Sequence, residues 1–252
     1  MSRKVISCAG LIPSRISSTR LPGKALADIE GLPLVIHTAK RAQMASHLSD
    51  VYVCTDSDRI ADVCAKYSVN VIKTSSECVN GTERIAEAAK NLRHDYFVDI
   101  QGDEPLINPE HIDAVVDVLT REPRTFKFDI ILPVLRVPYS ARDSVVRVQL
   151  SQSNRVMTLS RGNIPYVYGH NAQYTFKHLS IIGFSRISLE LYSKLPPSEY
   201  EQIENIELLR ALENDMIILA LPLNGDSFSV DLQDDLDRAR LAMRNDPFFG
   251  LY

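Results

Sequence analysis

Short apolar runs alternate with segments of helical periodicity along the first half of the chain. The apolar runs predict strands at Val5–Ala9, Val51–Thr55, Val69–Thr74 and Tyr96–Ile100. Apolar positions at three- and four-residue spacing predict helices at about Pro33–His47, Asp58–Tyr67, Thr82–Leu92 and His111–Thr120. This alternation is typical of βαβ units. It predicts an α/β, Rossmann-like fold with a mixed, mostly parallel sheet and helices on both faces.

The pattern changes from about Phe128 to Ser185, where strand-like runs follow one another without helices between them. These runs are Ile130–Val137, Val145–Leu150 and Val156–Ser160. They predict an antiparallel insertion. Afterwards the pattern predicts a helix over Glu201–Asn214, a strand over Met216–Leu223 and a helix over Leu232–Arg244. Because no linker-like tract separates these segments, we expect a single domain over residues 1–252 with an excursion at about 128–185.

Composition narrows the classes of partner. The 252 residues are 45% hydrophobic, enough for one sizeable core, and the net charge is −4 without a basic tract outside one early loop. This balance argues against nucleic acid and acidic membranes as partners and favours a small anionic ligand. Without a long apolar run or a leader-like segment, we expect a soluble, cytoplasmic protein. The four cysteines are widely spaced, which predicts reduced thiols rather than a metal centre.

The segment from Leu11 to Lys24 has the composition of a polyphosphate-binding loop. It carries the cations Arg15, Arg20 and Lys24 among small or hydroxyl residues that include Ser14, Ser17 and Gly23. Small side chains let backbone N–H groups approach an anion, while fixed cations neutralise its charge. A plain solvated loop is the alternative. The position at a strand exit, where α/β folds bind ligands, favours the phosphate interpretation.

Two isolated acids are candidate metal ligands. Asp103 lies in Gln101-Gly102-Asp103-Glu104-Pro105, directly after the fourth predicted strand, where a carboxylate can bind Mg²⁺ beside a phosphate loop. Asp231 ends a second polar loop, at residues 224–231, and could instead cap the following helix. A metal-binding role for Asp231 therefore requires that Asp103 lie nearby.

Seven ordered motifs resemble those of the CMP-Kdo synthetases, the cytidylyltransferases that activate 3-deoxy-D-manno-octulosonate (Kdo). The motifs are LIPSRISSTRLPGK (11–24), NGTER (80–84), QGDEP (101–105), SRGNIP (160–165), KHL (177–179), ENIELLR (204–210) and VD (230–231). The resemblance implies a fold of the nucleotide-diphospho-sugar transferase type. It also implies a homodimer, with the excursion and the following helix at the contact, and a place in lipopolysaccharide biosynthesis.

The resemblance further implies Mg²⁺-assisted attack of the anomeric hydroxyl of a sugar acid on the α-phosphate of CTP. Its implied catalytic residues are Arg15, Lys24, Asp103 and Asp231, with both aspartates as metal ligands. The implied nucleotide-binding residues are Ser14, Arg15, Ser17, Arg20, Gly23, Lys24, Asn80, Gly81, Thr82 and Arg84. The implied sugar-binding residues are Gln101, Arg161, Lys177, His178 and Glu204. Taken alone, four of these sugar-side residues also have an ordinary structural explanation. Arg161, Lys177 and Glu204 could be surface charges, and His178 could be a hydrogen-bonded core histidine.

Several positions depart from the family's usual motifs, and they bear on the choice of sugar. Asn80 stands where the family usually has serine, Ser180 where it has glycine, Ile182 where it has tyrosine and Leu208 where it has glutamine. A polar pocket with changed partners selects different hydroxyl groups. An 8-amino Kdo analogue or a sialic-type nonulosonate is therefore an alternative substrate. A sugar-1-phosphate nucleotidyltransferase and a non-catalytic nucleotide-binding paralogue are the further alternatives.

Overall fold

The computed structural model describes residues 6–18, 20–121, 127–139 and 145–252. The predicted strand residue Val5 and the loop residue Thr19 lie outside these ranges, as do residues 140–144 of the excursion. The first part of the fold contains β1 (Cys8–Pro13), β2 (Asp28–Ile29), β3 (Leu32–Pro33), α1 (Leu34–Met44), β4 (Asp50–Thr55), α2 (Asp58–Lys66), β5 (Asn70–Lys73), α3 (Gly81–Ala89), β6 (Tyr96–Ile100) and α4 (Pro109–Thr120).

The second part contains β7 (Ile130–Pro138), β8 (Arg147–Leu150), β9 (Val156–Ser160), β10 (Tyr174–His178), β11 (Ile181–Ser185), α5 (Arg186–Tyr192), α6 (Glu199–Glu204), α7 (Leu208–Glu213), β12 (Ile218–Leu223) and α8 (Gln233–Met243). The strands between β7 and β11 follow one another without a helix in the described residues, as the periodicity predicts.

The main sheet has the order β5-β4-β1-β6-β11-β7-β10-β8-β9, and β12 pairs with β7. Strands β5, β4, β1 and β6 are parallel, as are β7 and β12. Strand β11 is antiparallel to both of its neighbours, and the insertion strands β8 to β10 extend the sheet by antiparallel pairing. The predicted α/β fold with a mixed sheet is therefore confirmed.

Side chains of the sheet alternate between two hydrophobic layers. In β1, Ala9 and Leu11 pack with α3, α5 and α7 on one face, while Cys8 and Ile12 pack with α1, α2 and α4 on the other. This is the two-residue period of a strand that is buried on both faces. It leaves the strand ends as the place where polar groups can gather. In the described residues, no helix has the length and apolar content needed to cross a bilayer.

Two predicted elements have boundaries that differ from those of the structure, and one helix was missed. Strand β1 continues to Pro13, because Leu11 and Ile12 are buried and pair with β4, so the polar loop begins at Ser14. The predicted helix 201–214 is instead two helices, α6 and α7, because Asn205 adopts the left-handed conformation with φ 51°. Helix α5 was not predicted; it starts where the Ser185 hydroxyl accepts the Ser188 N–H.

Gly183 of β11 tests the packing between the sheet and α4. A methyl group at Gly183 would lie 2.6 Å from Val115 Cγ1 and 3.0 Å from Leu119 Cδ1. We expect Gly183→Ala to lower the free energy of unfolding by about 1–3 kcal/mol, as measured by urea denaturation, because a packed core resists added volume. Gly169→Ala, which has nothing within 4 Å of the added carbon, is the matched control. Equal stability of the two variants would contradict this packing.

Candidate active site

Two adjoining cavities open where β1 and β6 end. The first has a volume of about 210 Å³ and is lined by the loop that follows β1. The second has a volume of about 520 Å³ and lies between the insertion, α6 and the 224–231 loop. Both cavities are lined by Arg20, Asn80, Gln101, Asp103 and Asp231. Ligands in the two cavities would therefore meet at these five residues.

The ammonium group of Lys24 joins the two candidate metal ligands. Lys24 Nζ donates to Asp103 Oδ2 at 2.7 Å, to Asp231 Oδ1 at 2.9 Å and to the Val230 carbonyl at 3.0 Å. Arg20 adds a second cation, with its guanidinium 2.9 Å from Asp231 Oδ1. Residues 103 and 231, far apart in sequence, thus share one cation. The proximity that a common metal site requires is present.

Burial and charge compete in this cluster. Burial acts to lower the pKa of Lys24, but the charges of and hydrogen bonds to Asp103 and Asp231 outweigh it and the pKa lies above its usual value. Burial raises the pKa of Asp103, and the negative charges of Asp231 and Glu104 add to this rise, while Lys24 opposes it. The Asp103 carboxylate therefore depends on a nearby cation to remain ionised.

Asp231 does not cap the helix that follows it. The carboxylate of Asp235 accepts the N–H groups of Leu232 and Asp231 at the start of α8, which leaves the Asp231 carboxylate to face Lys24 and Arg20. The capping alternative from the sequence is therefore wrong for this residue. Its side chain is instead paired with the cations that border the first cavity.

The remaining residues of the first loop surround the first cavity. Ser14, Arg15 and Ser17 line it together with Arg20 and Lys24. Arg15 is exposed and has no ion-pair partner within the described ranges. Gly23 lies outside the lining and has φ +70°, in the left-handed region, directly before the one-turn 3₁₀ helix Lys24–Leu26. Its backbone conformation starts the turn that carries Lys24.

The start of α3 forms the opposite wall of the first cavity. Asn80 and Gly81 line the cavity, and the Asn80 side chain caps α3 by accepting the Glu83 N–H at 2.8 Å. Thr82 is buried, and its N–H donates to Glu207 Oε2 at 3.1 Å, so it does not reach the lining. Arg84 lines the cavity but is 3.1 Å from Asp56 Oδ1 and donates to Thr74 Oγ1 at 2.6 Å.

The sugar-side residues predicted from the resemblance divide into two groups. Gln101, Arg161, Lys177 and His178 line the second cavity. Glu204 does not: its carboxylate accepts from the Ser160 hydroxyl at 2.8 Å and from the Arg161 N–H at 2.6 Å. Arg161 Nε in turn donates to the Glu204 carbonyl at 2.8 Å. Glu204 thus fixes the turn that presents Arg161 rather than facing the cavity itself.

Three acidic residues near the site were absent from the sequence-based set: Asp99, Glu104 and Glu207. Asp99 is fully buried in β6 and accepts from Gln101 Nε2 at 3.1 Å through both oxygens. Burial, followed by the charge of Glu207, raises the pKa of Asp99 well above its usual value. Glu104 is also buried and accepts from two serines of the 224–231 loop. A polar residue inside the apolar run Tyr96–Ile100 was the available signal for Asp99.

Comparisons with known proteins agree with this geometry. The profile of the cytidylyltransferase family matches residues 9–218. The chain is 37% identical to the 3-deoxy-manno-octulosonate cytidylyltransferase of Chlorobium limicola, covering 93% of this chain and 96% of that protein. It is 38% identical to the Zea mays protein of the same name, covering 93% and 80%.

A solved structure of CMP:2-keto-3-deoxy-manno-octonic acid synthetase complexed with CTP superposes with a TM-score of 0.88 at 28% identity, covering 95% of this chain and 99% of that one. The chain belongs to the cytidylyltransferase family and is therefore a nucleotidyltransferase. Within that family it belongs with the 3-deoxy-manno-octulosonate cytidylyltransferases, the CMP-Kdo synthetases, as the resemblance of its motifs predicts.

Gly102 tests the close approach of β1 and β6 beneath the site. A methyl group at Gly102 would lie 2.8 Å from the Pro13 carbonyl oxygen, a backbone atom that cannot yield without moving the strand end. We expect Gly102→Ala to lower kcat/KM by about a hundredfold because it displaces Asp103 and the first loop. Gly169→Ala is again the control. Wild-type kinetics in Gly102→Ala would contradict the close approach.

His178 tests the polarity of the second cavity. Burial, with the charges of Lys177 and Arg161, lowers the pKa of His178 to about 4. We therefore expect the imidazole to be neutral at neutral pH and to act as a hydrogen-bonding group rather than a cation. A ring titration by NMR should show protonation only as the pH falls towards 4. Protonation at the ordinary histidine value would contradict this description of the cavity.

Proposed function

We propose that the protein transfers the cytidylyl group of CTP to Kdo or a closely related sugar acid and releases pyrophosphate. The observation that carries this proposal is the cluster of Lys24, Asp103 and Asp231, which joins the first loop to the meeting point of the two cavities. A cationic loop on one side and a larger polar cavity on the other suit a nucleoside triphosphate and a second, hydroxylated substrate.

The proposed reaction is a displacement at the α-phosphorus. The anomeric oxygen of the sugar acid forms a bond to this phosphorus as the bond to the bridging oxygen of pyrophosphate breaks, and the hydroxyl proton passes to solvent water. Arg15, Arg20 and Lys24 hold the β- and γ-phosphates and stabilise the charge on the departing pyrophosphate. Ser14 and Ser17 donate hydrogen bonds to the same phosphates, and Asn80, Gly81 and Arg84 border the rest of the nucleotide.

The donor set at the meeting point fits Mg²⁺. Asp103 and Asp231 both lie within 2.9 Å of a single cationic nitrogen, so both can reach one cation, and carboxylate oxygens are the ligands that Mg²⁺ prefers. When bound, the ion would offset the negative charge of the phosphates and favour ionisation of the attacking hydroxyl. The raised pKa of Asp103 supports this role, because burial makes the carboxylate dependent on a cation.

The second cavity suits a sugar that carries a carboxylate. Arg161 and Lys177 provide positive charge for the carboxylate, while neutral His178 and Gln101 provide hydrogen-bonding groups for hydroxyls. A hexose 1-phosphate lacks this carboxylate. All four positions that depart from the family's motifs also line this cavity, so we infer that it selects the preferred sugar acid. These positions are Asn80, Ser180, Ile182 and Leu208.

We also propose that the protein is a homodimer of single-domain subunits. We propose that it acts in the cytoplasm and catalyses a step of lipopolysaccharide biosynthesis. The excursion over residues 128–185 and the segment after it support the dimer, because apolar side chains there are exposed. These side chains are Met157, Ile187, Leu191, Tyr200 and Ile203. Their burial in a subunit contact would remove this apolar surface from water.

The direct test measures pyrophosphate released from CTP and Mg²⁺ in the presence of Kdo, 8-amino-Kdo, a nonulosonate or a hexose 1-phosphate. We expect turnover with an ulosonic acid and little with the hexose phosphate. Asp103→Asn and Asp231→Asn should each lower kcat at least about a hundredfold because charge stabilisation is lost. Asp62→Asn, exposed and outside both cavities, is the control.

If the enzyme prefers 8-amino-Kdo or a nonulosonate, that sugar acid is the substrate in place of Kdo, and the reaction is the same. Release with hexose 1-phosphate alone would contradict the carboxylate site. Tight CTP binding with no turnover across the whole panel would indicate a non-catalytic paralogue and would contradict the proposal.

A further inference from the structure

The loop at residues 224–231 carries Asp231 to the site, although it belongs to a distant part of the chain. Its first residue is held by His111, whose Nε2 lies 2.8 Å from the Asn224 carbonyl oxygen. At its other end, the Val230 N–H donates to the Asp103 carbonyl at 2.9 Å. Between these two points the loop makes polar contacts with one buried carboxylate.

That carboxylate belongs to Glu104, the residue after Asp103. Glu104 is only 1% exposed. Its Oε2 accepts from the Ser227 hydroxyl and its Oε1 accepts from the Ser229 hydroxyl at 3.1 Å. In the described parts of the chain, no cation lies within ion-pair distance of Glu104. Burying a carboxylate without hydrogen bonds is costly, so the two serines and Glu104 hold one another in place.

Each serine lies close to a group that it would orient. Ser229 is two residues before Asp231, whose carboxylate meets Lys24. Ser227 is buried, and its carbonyl accepts from Lys177 Nζ, the cation of the second cavity. One carboxylate therefore fixes both the loop end that carries Asp231 and the acceptor that holds Lys177.

We propose that Glu104 is a positioning residue that sets Asp231 opposite Asp103 and Lys177 towards the second cavity by holding Ser229 and Ser227. The kinetic consequences of this inference rest on the proposed function, whereas its consequences for the arrangement of the loop do not. Glu104 itself touches neither reacting group. Its effect reaches the metal ligand through Ser229 and the sugar-side cation through Ser227.

The test uses Glu104→Leu, Glu104→Gln, Ser227→Ala and Ser229→Ala in the full chain. Glu104→Leu removes both acceptors, whereas Glu104→Gln keeps one and should partly restore function. The control is Ser46→Ala, because Ser46 makes a similar bond to Asp113 Oδ2 at 2.9 Å in the loop before β4, at the other end of the sheet. Thermal unfolding is measured for every variant.

Hydrogen exchange in the protein without metal or nucleotide is the first readout. We expect Glu104→Leu and Ser229→Ala to lose protection over residues 224–231 and Ser46→Ala to keep it. The second readout is the Mg²⁺ concentration for half-maximal activity, which should rise about 10–100-fold in Glu104→Leu and Ser229→Ala, as is typical when partners of metal ligands are removed. Ser227→Ala should mainly raise the KM for the sugar acid.

Unchanged exchange over 224–231 together with an unchanged Mg²⁺ requirement in Ser229→Ala would overturn the inference, even if Glu104→Leu fails to fold. A lower unfolding temperature as the sole effect of Glu104→Leu and Glu104→Gln would also overturn it. If the wild-type protein releases no pyrophosphate, the proposed function fails, while the exchange measurement still decides whether Glu104 holds the loop.

Discussion

The site depends on one ionic interaction. Two largely buried carboxylates, those of Asp103 and Asp231, share the ammonium group of Lys24. Asp103 comes from the loop after β6, Asp231 from the loop before α8, and Lys24 from the end of the first loop. Separated from Lys24, Asp103 would bear an uncompensated burial cost and Asp231 would keep only the exposed Arg20 as an ion-pair partner, so the ion cluster joins three remote segments. This need for a cation makes the cluster responsive to a ligand that brings its own charges, such as a triphosphate with a divalent ion.

The overall fold was largely predictable because its elements follow simple periodicities. Strand β6 and helix α4 bury regular apolar patterns, and their predicted positions agree with the structure within two residues. Prediction failed where tertiary contacts override local pattern. Strand β1 extends into the expected loop since β4 pairs with Leu11 and Ile12, and the left-handed turn at Asn205 divides one predicted helix into two.

The site was predictable where its motifs are local. Loop residues such as Arg15 and Lys24 do line the first cavity, as the composition of their segment indicates. The partners of these residues were less accessible to sequence analysis. Glu204 holds the Arg161 turn, and Glu104 accepts from two serines of the 224–231 loop; both contacts depend on how distant elements pack. No spacing along the chain encodes such pairings.

We propose that Asp103 and Asp231 form one cation site beside the first loop. The most direct measurement is a crystal structure with a non-hydrolysable CTP analogue and Mn²⁺, in which anomalous scattering locates the metal. We expect Mn²⁺ to be bound by oxygens of both aspartates, with the triphosphate against Arg15 and Lys24. Metal bound elsewhere, or the two carboxylates on separate ions or on none, would contradict the proposal.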